Sequence, residues 1–170
     1  MDWFRKLRRA LDLFLEGLVA IVMGVLVADV TWQVFTRYVL NEPSSWTEEL
    51  ATCLMIWLGL LGASVALRRG AHLGIDYFIS QLSPGKRALI QVFAFLVIAV
   101  FSVLVLGVGG THLVRETLGR GQALPALGVQ MGYVYLALPT SGFFMTLYSV
   151  EFLIERLRSW EQEGRTPRTT

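Results

Sequence analysis

Charge is missing from three long stretches of this 170-residue chain, and their lengths constrain the fold more than any motif does. Ala51 to Leu67, Ala88 to Val114 and Gly121 to Val150 hold no Asp, Glu, Lys or Arg, giving uncharged runs of 17, 27 and 30 residues. A helix crossing the hydrocarbon core of a bilayer needs about 20 mostly apolar residues. A fourth run, Leu13 to Phe35, is broken only by Glu16 and Asp29. Four such helices use roughly half of the chain, and the remainder is too short for a sizeable soluble domain. Composition agrees: 54% of residues are hydrophobic and 16% charged, with a mean hydropathy of +0.55. A soluble domain carries about 25% charged residues.

Several function classes fall away. A net charge of +2 from scattered basic residues makes no nucleic-acid surface, so no nucleic-acid partner is expected. One cysteine, Cys53, excludes an intrachain disulfide framework, a CxxC redox pair and a cysteine zinc cluster. The two histidines, His72 and His112, fall near opposite membrane surfaces and cannot ligate one haem iron. No catalytic residue, metal or cofactor is expected, and the chain does not read as an enzyme.

The expected fold is an all-α integral membrane protein. Its four transmembrane helices lie at about 13–36, 46–67, 86–113 and 131–154. The first apolar run is too long for a signal peptide and lacks an Ala-x-Ala site, so it reads as a retained helix. Twelve Lys and Arg flank one side of the spans, from Arg5 through Arg68, Arg69, Lys86 and Arg87 to Arg168, against Arg37, Arg115 and Arg120 on the other. The positive-inside rule then puts both termini and the middle connection in the cytoplasm. In that connection Ile75, Phe78, Ile79 and Leu82 recur at helical spacing, with His72, Asp76 and Ser80 on another face. A segment so short and amphipathic is expected to lie flat at the inner interface, over about 72–82. At the second helix, Ser45 and Glu48 have capping-box spacing. Trp32, Tyr38 and Trp46 fall where an outer aromatic belt belongs. Pro139, inside the fourth helix, removes a backbone donor and should bend it.

Asp29, Gln33 and Arg37, spaced by four, form one polar stripe on the first helix. An intramembrane acid must face protein, water or a cation. A hydrogen-bonded stripe against a partner helix explains it more simply than a proton relay, since no second acid lies at matching depth on the third or fourth helix. Glu16 sits within reach of Arg8 or Arg9, or of a partner subunit. Small residues at spacing four (Ala20, Gly24, Ala28; Gly59, Ala63; Gly62, Ala66), with Gly107 and Gly110, make flat ridges for helix packing. These residues alone are also compatible with an assembly subunit of another membrane complex, or with a homo-oligomeric channel lined by Asp29.

The run Arg37-Tyr38-Val39-Leu40-Asn41-Glu42-Pro43-Ser44-Ser45-Trp46-Thr47-Glu48-Glu49-Leu50 resembles the signature of the DctQ-like small membrane subunit of TRAP (tripartite ATP-independent periplasmic) transporters. So do Trp57-Leu58-Gly59, Arg68-Arg69-Gly70-Ala71-His72 through Asp76, Pro125-Ala126-Leu127-Gly128 and Tyr133 through Pro139, in the family's order. The resemblance implies a multi-pass subunit of the bacterial inner membrane. Its expected partners are the lipid bilayer, a large membrane subunit at 1:1 that translocates an organic acid with sodium, and a periplasmic solute-binding protein that delivers the substrate. The small subunit of the family has no known substrate site; it widens the static scaffold. Candidates for organising the subunit or meeting a partner are Asp29, Arg37, Tyr38, Trp46, Glu48, Glu49, Trp57, Gly59, Arg68, His72, Asp76 and Pro139.

Overall fold

The structure, a computed structural model, describes residues 2–42, 44–69 and 84–163. Helix α1 spans Asp2–Phe35 and unwinds into a π-helical turn, Thr36–Leu40. Asn41 ends that turn in the left-handed region at φ 55°, where Asn is one of the few side chains tolerated. Helix α2 covers Ser45–Arg68. The third span begins as α3, Pro84–Phe101, passes through a π-helical stretch, Ser102–Gly109, and continues as α4, Gly110–Gly119. The fourth is α5, Met131–Tyr135, followed by α6, Ala137–Glu163. Four stretches are long and apolar enough to cross a membrane: Arg8–Leu40, Ser45–Arg68, Leu89–Gly119 and Met131–Arg156. Among the described residues there is no β-strand, only one isolated bridge between Ala123 and Gln130. The interfacial helix expected at 72–82 lies outside the described residues.

The four spans pack as a row in the order first, second, fourth, third. Backbone contacts join α1 to α2, α2 to α6, and α6 to α3 and its π-helical stretch. Among the described residues, the backbones of the first and third spans do not meet. The fourth span is the most enclosed, with 33% of its apolar stretch buried against 11% for the first and third. Leu15, Leu61, Leu67, Phe144 and Tyr148 form the core where the first, second and fourth spans converge. The third span reaches it through Phe95 and Ile98, and Phe95 stacks on Phe152 with centroids 5.0 Å apart. Leu13, Phe14, Ile21, Phe93 and Val108 point outward. Such an apolar exterior suits a helix bundle whose solvent is lipid.

Hydroxyls rather than large side chains fill most of the tightest positions. Ser64, Ser102, Thr117 and Ser141 are all buried. Each turns its hydroxyl back to its own helix, on the carbonyls of Leu60, Ile98, Leu113 and Leu138, at 2.7–3.2 Å. A small residue whose polar atom is satisfied in this way lets a neighbouring helix come close without an orphaned group.

Glycine does the same for the third and fourth spans. A Cβ on Gly110 would lie 2.9 Å from Leu138 Cβ and 3.1 Å from Pro139 Cδ. One on Gly142 would lie 2.8 Å from Leu106 Cβ and 3.1 Å from the Gly107 nitrogen. Pro139 has no N–H for the Tyr135 carbonyl, and the helix is interrupted at Leu136; i to i−4 bonding resumes with Thr140 N–H to Leu136 O at 3.2 Å. The proline that breaks the helix is thus also part of the surface that Gly110 receives.

The start of α2 departs from the expected capping box. Ser44, not Ser45, is the N-cap, and its side chain caps no backbone N–H. Its hydroxyl instead shares a 2.6 Å hydrogen bond with Thr47 Oγ1, which also donates to the Ser44 carbonyl at 2.8 Å. Thr47 is fully buried and takes the place three residues after the cap, leaving Glu48 exposed. Its hydroxyl meets the Ser44 side chain and carbonyl at once, a pairing that occupies the Ser44 hydroxyl and leaves the first backbone N–H groups of α2 without a side-chain cap.

Candidate functional site

Each end of the row carries a polar tie across helices. At one end, helix α1 presents Arg8, Asp12 and Glu16 at spacing four, and α2 ends at Arg68 with Arg69 just past it. Arg68 Nε donates to Asp12 Oδ2 at 3.1 Å, and Arg68 Nη1 stands 3.6 Å from Glu151 Oε2 on α6. Tyr148 Oη donates to the other Asp12 oxygen at 3.0 Å, and the Arg68 guanidinium lies over the Tyr148 ring, 5.5 Å from its centroid. Arg8 pairs with Glu151 and stands 3.8 Å from Glu155. Arg68 is thereby held by the first and the fourth spans at once. Asp12, with both oxygens engaged and its side chain 19% exposed, satisfies the need of a carboxylate at the edge of an apolar core for donors.

Beside this cluster Arg69 grips Glu16 with two contacts of 3.1 Å. The hydrogen bond and the neighbouring negative charge raise the guanidinium's pKa further above its ordinary value. Glu16 therefore pairs with Arg69, just past the second span, not with Arg8 or Arg9. Arg8 is occupied about two turns away by Glu151, which faces it from the fourth span. The niche lined by Asp12, Leu15, Glu16, Val65, Arg68 and Tyr148 is too tight for a small-molecule ligand.

The opposite end is tied by Glu49. Its carboxylate accepts from Ala126 N–H at 3.0 and 3.1 Å and from Leu127 N–H at 2.9 Å. Those two amides sit at the tip of the connection between the third and fourth spans. The connection is closed by Leu124 N–H to Val129 O at 2.9 Å, Gly128 N–H to Leu124 O at 2.8 Å and Met131 N–H to Gln122 O at 2.8 Å. Gly121 and Gly128 adopt φ of 64° and 66°, the left-handed conformation such a tight turn needs. The third span runs on to Gly119 before the turn, so the loop is compact and its tip lands on α2.

The remaining candidates are dispersed. Asp29 is 7% exposed and shares a heptad-spaced face of the first span with the buried Leu15 and Thr36. That face meets α2, and Asp29 Oδ2 has no hydrogen-bond partner among the described residues. Arg37, Tyr38, Trp46 and Glu48 are exposed around the short turn between the first two spans. The polar stripe therefore runs from buried Asp29 through half-buried Gln33 to exposed Arg37, because residues spaced by four drift around a helix of about 3.6 residues per turn. Trp57 packs inward against the core cluster, and Gly59 faces open space. His72 and Asp76 lie outside the described residues. Among the described residues no group of three or more His, Cys, Asp or Glu is placed to hold a metal ion.

Two participants escape a reading of the sequence alone: Asp12, which looks like the polar flank of the first span, and Tyr148, which looks like one more aromatic in an apolar run. The available signal is the Arg8, Asp12, Glu16 series at spacing four, facing the paired Arg68-Arg69 at the same end.

Comparison with known proteins places this architecture. The family model for tripartite ATP-independent periplasmic transporters, DctQ component, matches residues 26–159. The chain is 30% identical over 155 residues to the sialic acid TRAP transporter small permease protein SiaQ of Vibrio cholerae, covering 91% of this chain and 87% of that one. It is 30% identical over 105 residues to the C4-dicarboxylate TRAP transporter small permease protein DctQ of the same organism, covering 62% of this chain and 45% of that one. It is also 33% identical over 126 residues to the sialic acid TRAP transporter permease protein SiaT of Haemophilus influenzae, where the match takes up 73% of this chain but 19% of that much longer one. With its four membrane-length helices and a match over most of its length, the chain belongs to the DctQ-component family of TRAP transporters, the small permease proteins.

Proposed function

We propose that this chain is the small membrane subunit of a TRAP-type importer and scaffolds a larger translocating subunit. The observation that carries the reading is the match to the Haemophilus permease: there, a stretch like this chain occupies about a fifth of one long permease polypeptide. A domain fused to a permease in one protein is a natural non-covalent partner of a permease in another. The organic-acid class of substrate rests on relatives named for sialic acid and C4-dicarboxylates, both carboxylic acids. Sodium coupling, delivery by a periplasmic binding protein and a 1:1 complex follow from the same family reading.

The physical role is mechanical. A transporter that moves a substrate-carrying body against a fixed one gains from a fixed body that resists tilting in the bilayer. A row of four tied helices supplies width. The arginine-rich end faces the cytoplasm of the inner-membrane cell, and the turn bearing Arg37, Tyr38, Trp46 and Glu48 faces the periplasm. His72 and Asp76 orient an interfacial helix on the cytoplasmic side. Asp29, buried in the chain's own first seam, favours packing over a pore.

Co-expression with a large TRAP permease from the same organism, with a tag on this chain only, tests the proposal. A stoichiometric complex that survives size exclusion, and takes up organic acid in proteoliposomes once a binding protein is added, is expected. Elution of this chain alone or as a homo-oligomer that conducts ions overturns it.

A further inference from the structure

We propose that Glu49 and the Asp12–Arg68–Tyr148 contact are positioning groups that act as opposed cross-ties, holding the row of four helices as one plate. The inference rests on the scaffold reading, and it assigns that role to particular residues. A row in which each helix packs only on its neighbour can shear and splay, because each seam acts as a hinge. The first and fourth spans are not neighbours by backbone contact, yet Tyr148 and Glu151 of the fourth reach Asp12 and Arg8 of the first, past the end of α2. At the other end Glu49 of the second span bonds the connection between the third and fourth. Each tie thus skips a seam: one spans the first three members of the row, and the other fastens the last three. They sit at opposite ends of the helices, so together they oppose rotation about every seam.

Both ties use carboxylate acceptors with more than one donor, so losing one bond loosens a tie and losing the shared partner loosens it more. The Glu49 tie is also compact: Ala126 N–H reaches both carboxylate oxygens, and Leu127 N–H reaches one of the same two. Glu49→Gln sets an NH2 against the Ala126 N–H in place of one oxygen and weakens the tie, whereas Glu49→Ala removes it. Tyr148→Phe removes only the hydroxyl bond to Asp12 and keeps the ring beneath Arg68.

The test places spin labels on the full chain in lipid nanodiscs, in a Cys53→Ala background. One pair, at Leu13 and Ile154, reports the arginine-rich end, and a second, at Ser45 and Leu113, reports the loop end; all four positions are exposed. Tyr148→Phe, and more strongly Arg68→Ala, should broaden the first distance distribution and leave the second narrow. Glu49→Ala, and less strongly Glu49→Gln, should do the reverse, and each variant in the assembled transporter should lower uptake several-fold while the complex still forms. General destabilisation would broaden both pairs together and overturns the proposal, as do unchanged distributions or broadening with full uptake. The distances are read without the partner, so a wild-type chain that never binds a permease defeats the scaffold reading and leaves the cross-ties to their own measurement.

Discussion

Glycines in the seam between the third and fourth spans and glycines on the first two spans sit in opposite surroundings. Gly110 and Gly142 are where one helix backbone receives another: an added methyl would meet Leu138 and Pro139 in one case, Leu106 and the Gly107 amide in the other, at 2.8–3.2 Å. Gly17, Gly24, Gly59 and Gly62 meet nothing within 4 Å. Glycine in a helix interior costs about 0.5–1 kcal/mol relative to alanine, so each position needs a compensating contact. In the first group the contact is inside the chain. In the second it is absent from the chain, which is what a helix face awaiting another helix looks like. Glycine closes the seam between the third and fourth spans, whereas these four glycines of the first two spans face open space.

The largest expected effect comes from overfilling the finished seam. Gly142→Leu should separate the third and fourth spans and abolish a monodisperse peak in fluorescence-detected size exclusion, because the obstructing atoms are a Cβ and backbone and cannot swing away. Gly110→Ala should be milder, a loss of about 1–3 kcal/mol typical of overpacking, seen as a lowered melting temperature in detergent. Pro139→Ala restores an N–H for Tyr135 but withdraws the ring from Gly110; a net change under about 1.5 kcal/mol is expected, with no gain despite the better helix former. The smallest effect belongs to the open face. Gly24→Ala and Gly59→Ala should leave the isolated chain's melting within about 0.5 kcal/mol or raise it slightly. Gly24→Leu should then lower recovery with the large permease and leave the isolated chain unchanged. If Gly24→Ala proves as damaging to the isolated chain as Gly110→Ala, the contrast between the two groups of glycines is lost.

The two ends of the row differ in a related way. The arginine-rich end is tied by charged side chains that meet across three helices; the loop end is tied by one carboxylate on backbone amides. Both involve residues that the sequence marks by type, Arg68 and Glu49, but their partners are 56 and 77 residues away along the chain. No local pattern carries a pairing of that range.

Helix number and length follow from the sequence, because the bilayer sets one length for every span and penalises charge within it. The break near Pro139 follows as well, since a missing N–H is a covalent property. The family is legible too, from the run between Arg37 and Leu50. The order of the spans in the row, the replacement of the capping box by Ser44 and Thr47, the partner of Glu16 and the roles of Asp12 and Tyr148 were decided only in the tertiary structure. In lipid the hydrophobic force that sorts inside from outside along a soluble helix is largely missing, so an apolar pattern does not reveal which face meets which neighbour. Close approach of small residues and a few polar contacts make that choice, and both depend on distances between helices that no sequence spacing records.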